Sequence, residues 1–122
     1  MAGLTNLESQ ATLDVRFPTT GGTDYIWYSA NGTTETASLA RTSIGATGWA
    51  GATNADPSVK ANANILTSAA ATGAVTVTHF AIYSAVTAGT QRTDWQALTA
   101  SKVLAIGDKL EWAVGAAQVT LT

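Results

Sequence analysis

Short runs of apolar, aromatic and β-branched residues recur along the chain between turn signals, which is the pattern of short strands. Residues 25–30, Tyr-Ile-Trp-Tyr-Ser-Ala, are rich in aromatic and β-branched side chains and read as a strand. The clearest run is 75–84. In it Val75, Val77, His79, Ala81 and Tyr83 share one face, and Thr76, Thr78, Phe80, Ile82 and Ser84 share the other. Bulky apolar residues occur on both faces, so the pattern predicts a central strand covered on both sides for part of its length. Further strands are expected over 33–39 (reaching 44 if it runs on), 93–98, 102–106, 109–114 and 118–122, and the stretch 61–68 alternates before turning apolar. Asn31-Gly32 predicts a tight hairpin, because both residues accept a positive φ. Gly107-Asp108 and Gly115-Ala116-Ala117 mark two more turns.

The beginning of the chain follows a different period. Residues 3–11 read as a short helix, with Thr5 and Glu8 spaced as a capping box. Leu4, Leu7 and Ala11 then fall on one face. A helix of one or two turns is marginal alone, so it must pack, either over the end of a sheet or against a partner. Residues 13–17 look extended, and Pro18 with Gly21-Gly22 opens a loop. The most loop-like stretch is 45–57, with Trp49 in its middle. A large aromatic in such a loop either anchors it to the core or projects to a partner. Together these elements predict a mainly β fold: an antiparallel β-sandwich or flattened barrel of about seven or eight strands, with a short N-terminal helix. The length of 122 residues predicts a single domain over 1–122, with 1–12 as a helical arm.

Composition narrows the chemistry. Charged residues make up 11% of the chain, against about 25% in an ordinary domain, while Ala (24) and Thr (21) dominate. The net charge is −2 and the six basic residues are scattered, so no nucleic-acid partner held by phosphate neutralisation is expected. No apolar run reaches the roughly 18–20 residues of a membrane span, and no membrane partner is expected either. The first residues lack the basic start and apolar stretch of a signal peptide, which points to synthesis in the cytoplasm. There is no cysteine, which removes disulfides and thiolate chemistry.

Catalytic arrangements are missing as well. The single histidine, His79, lies in mid-strand and reads as a hydrogen-bonded structural residue rather than a general base. No Gly-x-Ser-x-Gly elbow, phosphate-binding loop or calcium loop occurs. The acids Asp14, Asp24, Glu35, Asp56, Asp94, Asp108 and Glu111 are spread singly. Asp24, Asp56 and Asp108 lie beside or close to turn-forming Gly or Pro and read as turn residues. The expectation is a non-enzyme without metal or cofactor. A binding role remains, and Tyr25, Trp27 and Tyr28, or Trp95, are candidates for a sugar platform. Tyr25 and Trp27 point one way and Tyr28 the other, so one set belongs to the core.

The run 77–85, Val-Thr-His-Phe-Ala-Ile-Tyr-Ser-Ala, resembles a VTHFGIYDA segment of small structural proteins of tailed phages. The downstream pieces at 95–98, 102–110 and 116–121 resemble the ending of the same family, and Asn54, Asp56 and the Asn62-Ala63-Asn64 run resemble its middle. The likeness covers about residues 41–122. It departs at Ser84, where the family has Asp, and at Thr87-Ala88-Gly89, where it has paired Gly. The resemblance implies a virion structural protein. Its first implication is a capsid decoration (cement) protein on the outer surface of the head, binding the major capsid protein as a homotrimer. The alternative is a tail-fibre module binding a host surface glycan. For partner contacts the expected residues are Leu4, Leu7, Trp49, Asn54 and Asp56, in the segments 2–7 and 45–57.

Overall fold

The computed structural model describes residues 5–121. Among them are one helix and eight strands: α1 (Asn6–Arg16), β1 (Tyr25–Ser29), β2 (Thr42–Ser43), β3 (Ser58–Ala61), β4 (Leu66–Thr67), β5 (Val75–Tyr83), β6 (Gln96–Leu104), β7 (Glu111–Trp112) and β8 (Gln118–Leu121). The chain is mainly β with antiparallel pairing and a short N-terminal helix, the content expected of a β-sandwich chain. It folds as two compact units built from interleaved segments. The first holds residues 5–22, 44–65 and 112–121, and the second holds 23–43 and 66–111.

In the first unit, α1 starts where the capping signal placed it. Thr5 is extended, and its hydroxyl accepts the Glu8 amide at 3.3 Å. The helix then runs on to Arg16, through residues whose alternation resembles a strand. Tertiary burial explains the difference: Ser9, Leu13 and Phe17 fall on one side at helical spacing and are all buried. Pro18 stops the helix, since the residue before proline is pushed out of the helical region, and Phe17 sits at φ −126°. The buried side is therefore not the expected Leu4, Leu7, Ala11 face. Leu7 and Ala11 point to solvent, and Leu4 lies outside the described residues.

Under α1, β3 pairs with β8 from Ser58↔Leu121 to Ala61↔Gln118. Residues 48–53 run beside β3, joined by the Ala50 amide to Ala61 O (2.8 Å) and the Thr53 amide to Val59 O (3.0 Å). Gly48 permits the tight turn that precedes this segment, because a Cβ there would meet Ile44 O at 1.7 Å. Asn62, buried, closes the unit. Its amide nitrogen donates to Asn64 O and Ala113 O, and its carbonyl accepts the Ala117 amide.

The second unit is a four-stranded sheet in the order β2-β1-β5-β6. β5 is central, as its two-faced pattern predicts. The expected strands 93–98 and 102–106 are parts of one strand, β6. Its register against β5 shifts between Val77↔Lys102 and His79↔Ala97, so residues 98–101 bulge opposite Thr78. The Asn31-Gly32 turn forms, but not as a two-residue hairpin, because β1 meets its neighbour only at Thr42 and Ser43. Asn31 Oδ1 instead accepts the amides of Thr33 and Thr34 at 2.9 and 3.0 Å. Gly32, at φ +77°, lies against the His79 ring. Ile26, Tyr28, Phe80 and Ile82 alternate onto one face and are buried there. Asp24 is no turn residue: it is buried and accepts from Arg92 at 2.9 Å. Asp108 does cap its turn, taking the Ala105 amide at 2.8 Å. Ser68 extends the β4–β7 pairing, with its amide on Leu110 O and its hydroxyl on the Leu110 amide.

Candidate functional site

The sheet of the second unit has a second face, and its composition differs from the core side. The β1–β5 register places Tyr25 opposite Tyr83 and Trp27 opposite Ala81. Counting back from His79↔Ala97 along β6 puts Trp95 on this same face. Ala81 and Ala97 are small, so the large rings stand clear of one another's backbones. Trp27 and Tyr83 stack in parallel, 3.3 Å between centroids, and Trp95 tilts against Tyr83 at 6.2 Å.

Arg41 closes the row at its other end. Its Cζ lies 2.6 Å over the Trp27 ring and 5.7 Å from that of Tyr83, so Trp27 is held between the guanidinium and Tyr83. The guanidinium grips Glu35 with two bonds, at 2.8 and 3.0 Å, and donates to the carbonyls of Ala85 and Ala88 at 3.3 Å. Trp27 Nε1 reaches Ala85 O as well. Burial, with the Glu35 charge added, holds the Tyr83 phenol above its ordinary value of 10.0, and Arg41 opposes them. Tyr83 therefore stays neutral and donates its proton to Gln91 Oε1 at 2.8 Å.

This geometry sorts the candidate platform residues. Tyr28 is in the core, its hydroxyl bonded to that of Thr42. Trp27 is 6% exposed and has both ring faces covered. Tyr25, Tyr83 and Trp95 remain half-buried, with the exposed Gln91 amide at their border. Such a row can offer ring edges and amide and hydroxyl groups to a polar, uncharged ligand. Arg41, Glu35 and Gln91 carried no signal in the sequence pattern, and Tyr83 stood out only as a strand residue, because their convergence depends on segments far apart in the chain.

Replacing Arg41 by alanine should cost about 2–3 kcal/mol, since two carbonyls and the Glu35 carboxylate lose their donor and Trp27 loses its cover. Arg41→Lys should recover little of this, because an ammonium cannot make the same fork. Urea midpoints and Trp emission wavelength test both, and an unchanged midpoint in Arg41→Ala would remove Arg41 from this architecture.

The expected contact residues differ in exposure. Leu7 is exposed on α1 and Trp49 is buried at 2%. Asn54 and Asp56 are exposed in the loop that precedes β3, next to the cis Asp56-Pro57 bond. His79 is half-buried, its Nδ1 2.7 Å from the Thr78 hydroxyl. Among the described residues, no three acidic or histidine side chains gather to hold a metal ion, and no helix is long and apolar enough to cross a membrane.

A search of curated proteins finds no match. A family model described as podophage GP4 fiber I protein gp80 matches residues 5–120, which extends beyond the 41–122 region that carries the sequence resemblance. A fibre family favours the tail-fibre implication of that resemblance over capsid decoration. The chain belongs to the podophage GP4 fiber I protein gp80 family, among the virion structural proteins of tailed phages.

Proposed function

We propose that this protein is a structural subunit of a phage tail fibre and that its Tyr25, Tyr83 and Trp95 face holds a glycan of the host surface. The observation that carries the fibre reading is the family match over residues 5–120. The sugar reading is supported by half-buried rings beside the Gln91 amide and the Tyr83 hydroxyl. Sugars stack their apolar C–H faces on aromatic rings and satisfy their hydroxyls on neutral donors and acceptors. The low charge of the chain suits such a ligand.

Quantitative mass spectrometry of purified parent particles tests the location. A small, fixed number of copies per particle is expected. A ratio near one to the major capsid protein would instead return the protein to the head surface as a decoration protein. A glycan array of the purified chain tests the ligand, with Trp95→Ala as control. Trp27→Ala would be a poor control, since Trp27 is structural. Absence of any sugar binding by the wild-type chain would end the adhesive part of the reading.

A further inference from the structure

The turn that follows β1 carries a reactive pair that the aromatic face does not use. In an Asn-Gly sequence the glycine amide nitrogen can attack the asparagine side-chain carbonyl carbon, and glycine, without a Cβ, hinders that attack least. Asn31-Gly32 is such a pair, and Asn31 is exposed to water. The fold demands the glycine. Gly32 has φ +77°, and a Cβ on it would lie 2.9 Å from His79 Nε2, so backbone and space both exclude a side chain.

The reaction needs water and no other reagent. Gly32 N loses its proton to solvent base and bonds to Asn31 Cγ. The Cγ–Nδ2 bond breaks, and Nδ2 takes a proton from water and leaves as ammonia. The cyclic imide then adds one water and opens to aspartate or, through its other carbonyl, to isoaspartate. Either product adds one negative charge to a chain of net charge −2. Isoaspartate also adds a methylene to the backbone just before the Thr36 amide, which donates to Tyr28 O.

The folded turn withholds both reacting groups. Ser29 is buried at 0% exposure at the end of β1. Its Oγ accepts the amides of Asn31 and Gly32 at 3.1 and 2.9 Å and donates to Asn31 Oδ1 at 3.0 Å. The Gly32 proton is therefore held by a buried hydroxyl instead of facing a base in solution. Oδ1 also takes the Thr33 and Thr34 amides, and Nδ2 donates to Thr34 Oγ1 at 3.1 Å. His79 packs on Gly32, with its Nδ1 2.7 Å from the Thr78 hydroxyl. We propose that Asn31 is a latent deamidation site, held unreactive by the Ser29 hydroxyl and released when the end of β1 opens. The turn thereby keeps a covalent record of that opening.

Peptide mapping by mass spectrometry, which separates asparagine, aspartate and isoaspartate, follows the reaction in the whole chain in mildly alkaline buffer. Folded wild type should deamidate at Asn31 roughly tenfold or more slowly than the same chain in guanidinium, because several hydrogen bonds must break first. Ser29→Ala, with circular dichroism checking its fold, should close most of that gap. Thr33→Val with Thr34→Val, on the exposed turn and clear of β1, should raise the folded rate by a smaller factor and carries the test if Ser29→Ala does not fold. One common rate for folded and unfolded wild type would overturn the lock, as would folded variants that react no faster than wild type. Equal acceleration at Asn62, buried in the other unit, would trace the effect of Ser29→Ala to global unfolding and overturn the role of Ser29. Absence of product at Asn31 in the unfolded chain would overturn the site itself.

Discussion

Trp49→Ala is expected to lower stability by about 3–5 kcal/mol, the range for deleting a large aromatic from a packed interior. The ring is 2% exposed and meets Phe17 edge-on, with 5.5 Å between centroids and 63° between planes. Its backbone bridges to Asn62, the residue that ties the 44–65 segment of the first unit to 112–121. Losing the ring therefore undoes the support of α1 through Phe17 as well as the packing of the 45–57 loop. Urea unfolding followed by circular dichroism measures this. A loss below about 1 kcal/mol would show that the loop does not depend on its tryptophan.

Asp14→Ala should be nearly as severe, costing about 3 kcal/mol, because it strands a buried ammonium. Lys60 is 0% exposed and donates to Asp14 Oδ1 at 2.7 Å. The same oxygen accepts the Ala52 amide at 2.9 Å, and Gln10 reaches Ala52 O from one turn earlier on α1. Asp14 thus fastens the helix to the strand layer below it. Its own side chain is 40% exposed, so water screens the attraction from one side, and the cost of the substitution lies with Lys60 rather than with the pair's mutual energy. Removing both charges in Asp14→Ala with Lys60→Met should recover a large part of the loss. A double variant less stable than Asp14→Ala would contradict this account.

The same pair gives stability a pH dependence. Burial acts to raise the Asp14 pKa, but the Lys60 hydrogen bond, the Ala52 amide and the Lys60 charge together hold it below its ordinary value of 3.8. A carboxyl depressed on folding adds stability above its unfolded pKa and loses it as pH falls through the folded one. Wild-type stability should therefore fall on acidification below about pH 4, and more steeply than in the double variant.

Much of the architecture can be read directly from residue order. The aromatic and β-branched run from Tyr25 to Ser29 and the two-faced run from Val75 to Tyr83 encode the two strands at the heart of the sheet. Apolar residues on both faces of the second mark it as central. Thr5 and Glu8 encode the start of α1. These features depend on a residue and its near neighbours, so local pattern is sufficient. The end of α1, at Arg16, is not set by local pattern. Val15 and Phe17 prefer strands locally, and burial of Leu13 and Phe17 against groups far along the chain overrules them.

The candidate binding face lay further from view. Tyr25, Trp27 and Trp95 stand out as aromatics in strands, yet nothing local says that Trp27 is sealed between Arg41 and Tyr83 while Trp95 stays open. Trp49 is the mirror case: its glycine-rich surroundings look like a surface loop, and its ring is core.

By itself, the sequence determined the β class, the central strand, the helix start and the absence of cysteine chemistry, because each follows from composition or from spacing within a few residues. Tertiary structure alone decided which face of α1 is buried, which aromatics remain accessible and where Lys60 finds its acid. Those outcomes depend on groups tens of residues apart, Asp14 with Lys60 and Trp27 with Tyr83, and no local pattern carries the distance between them.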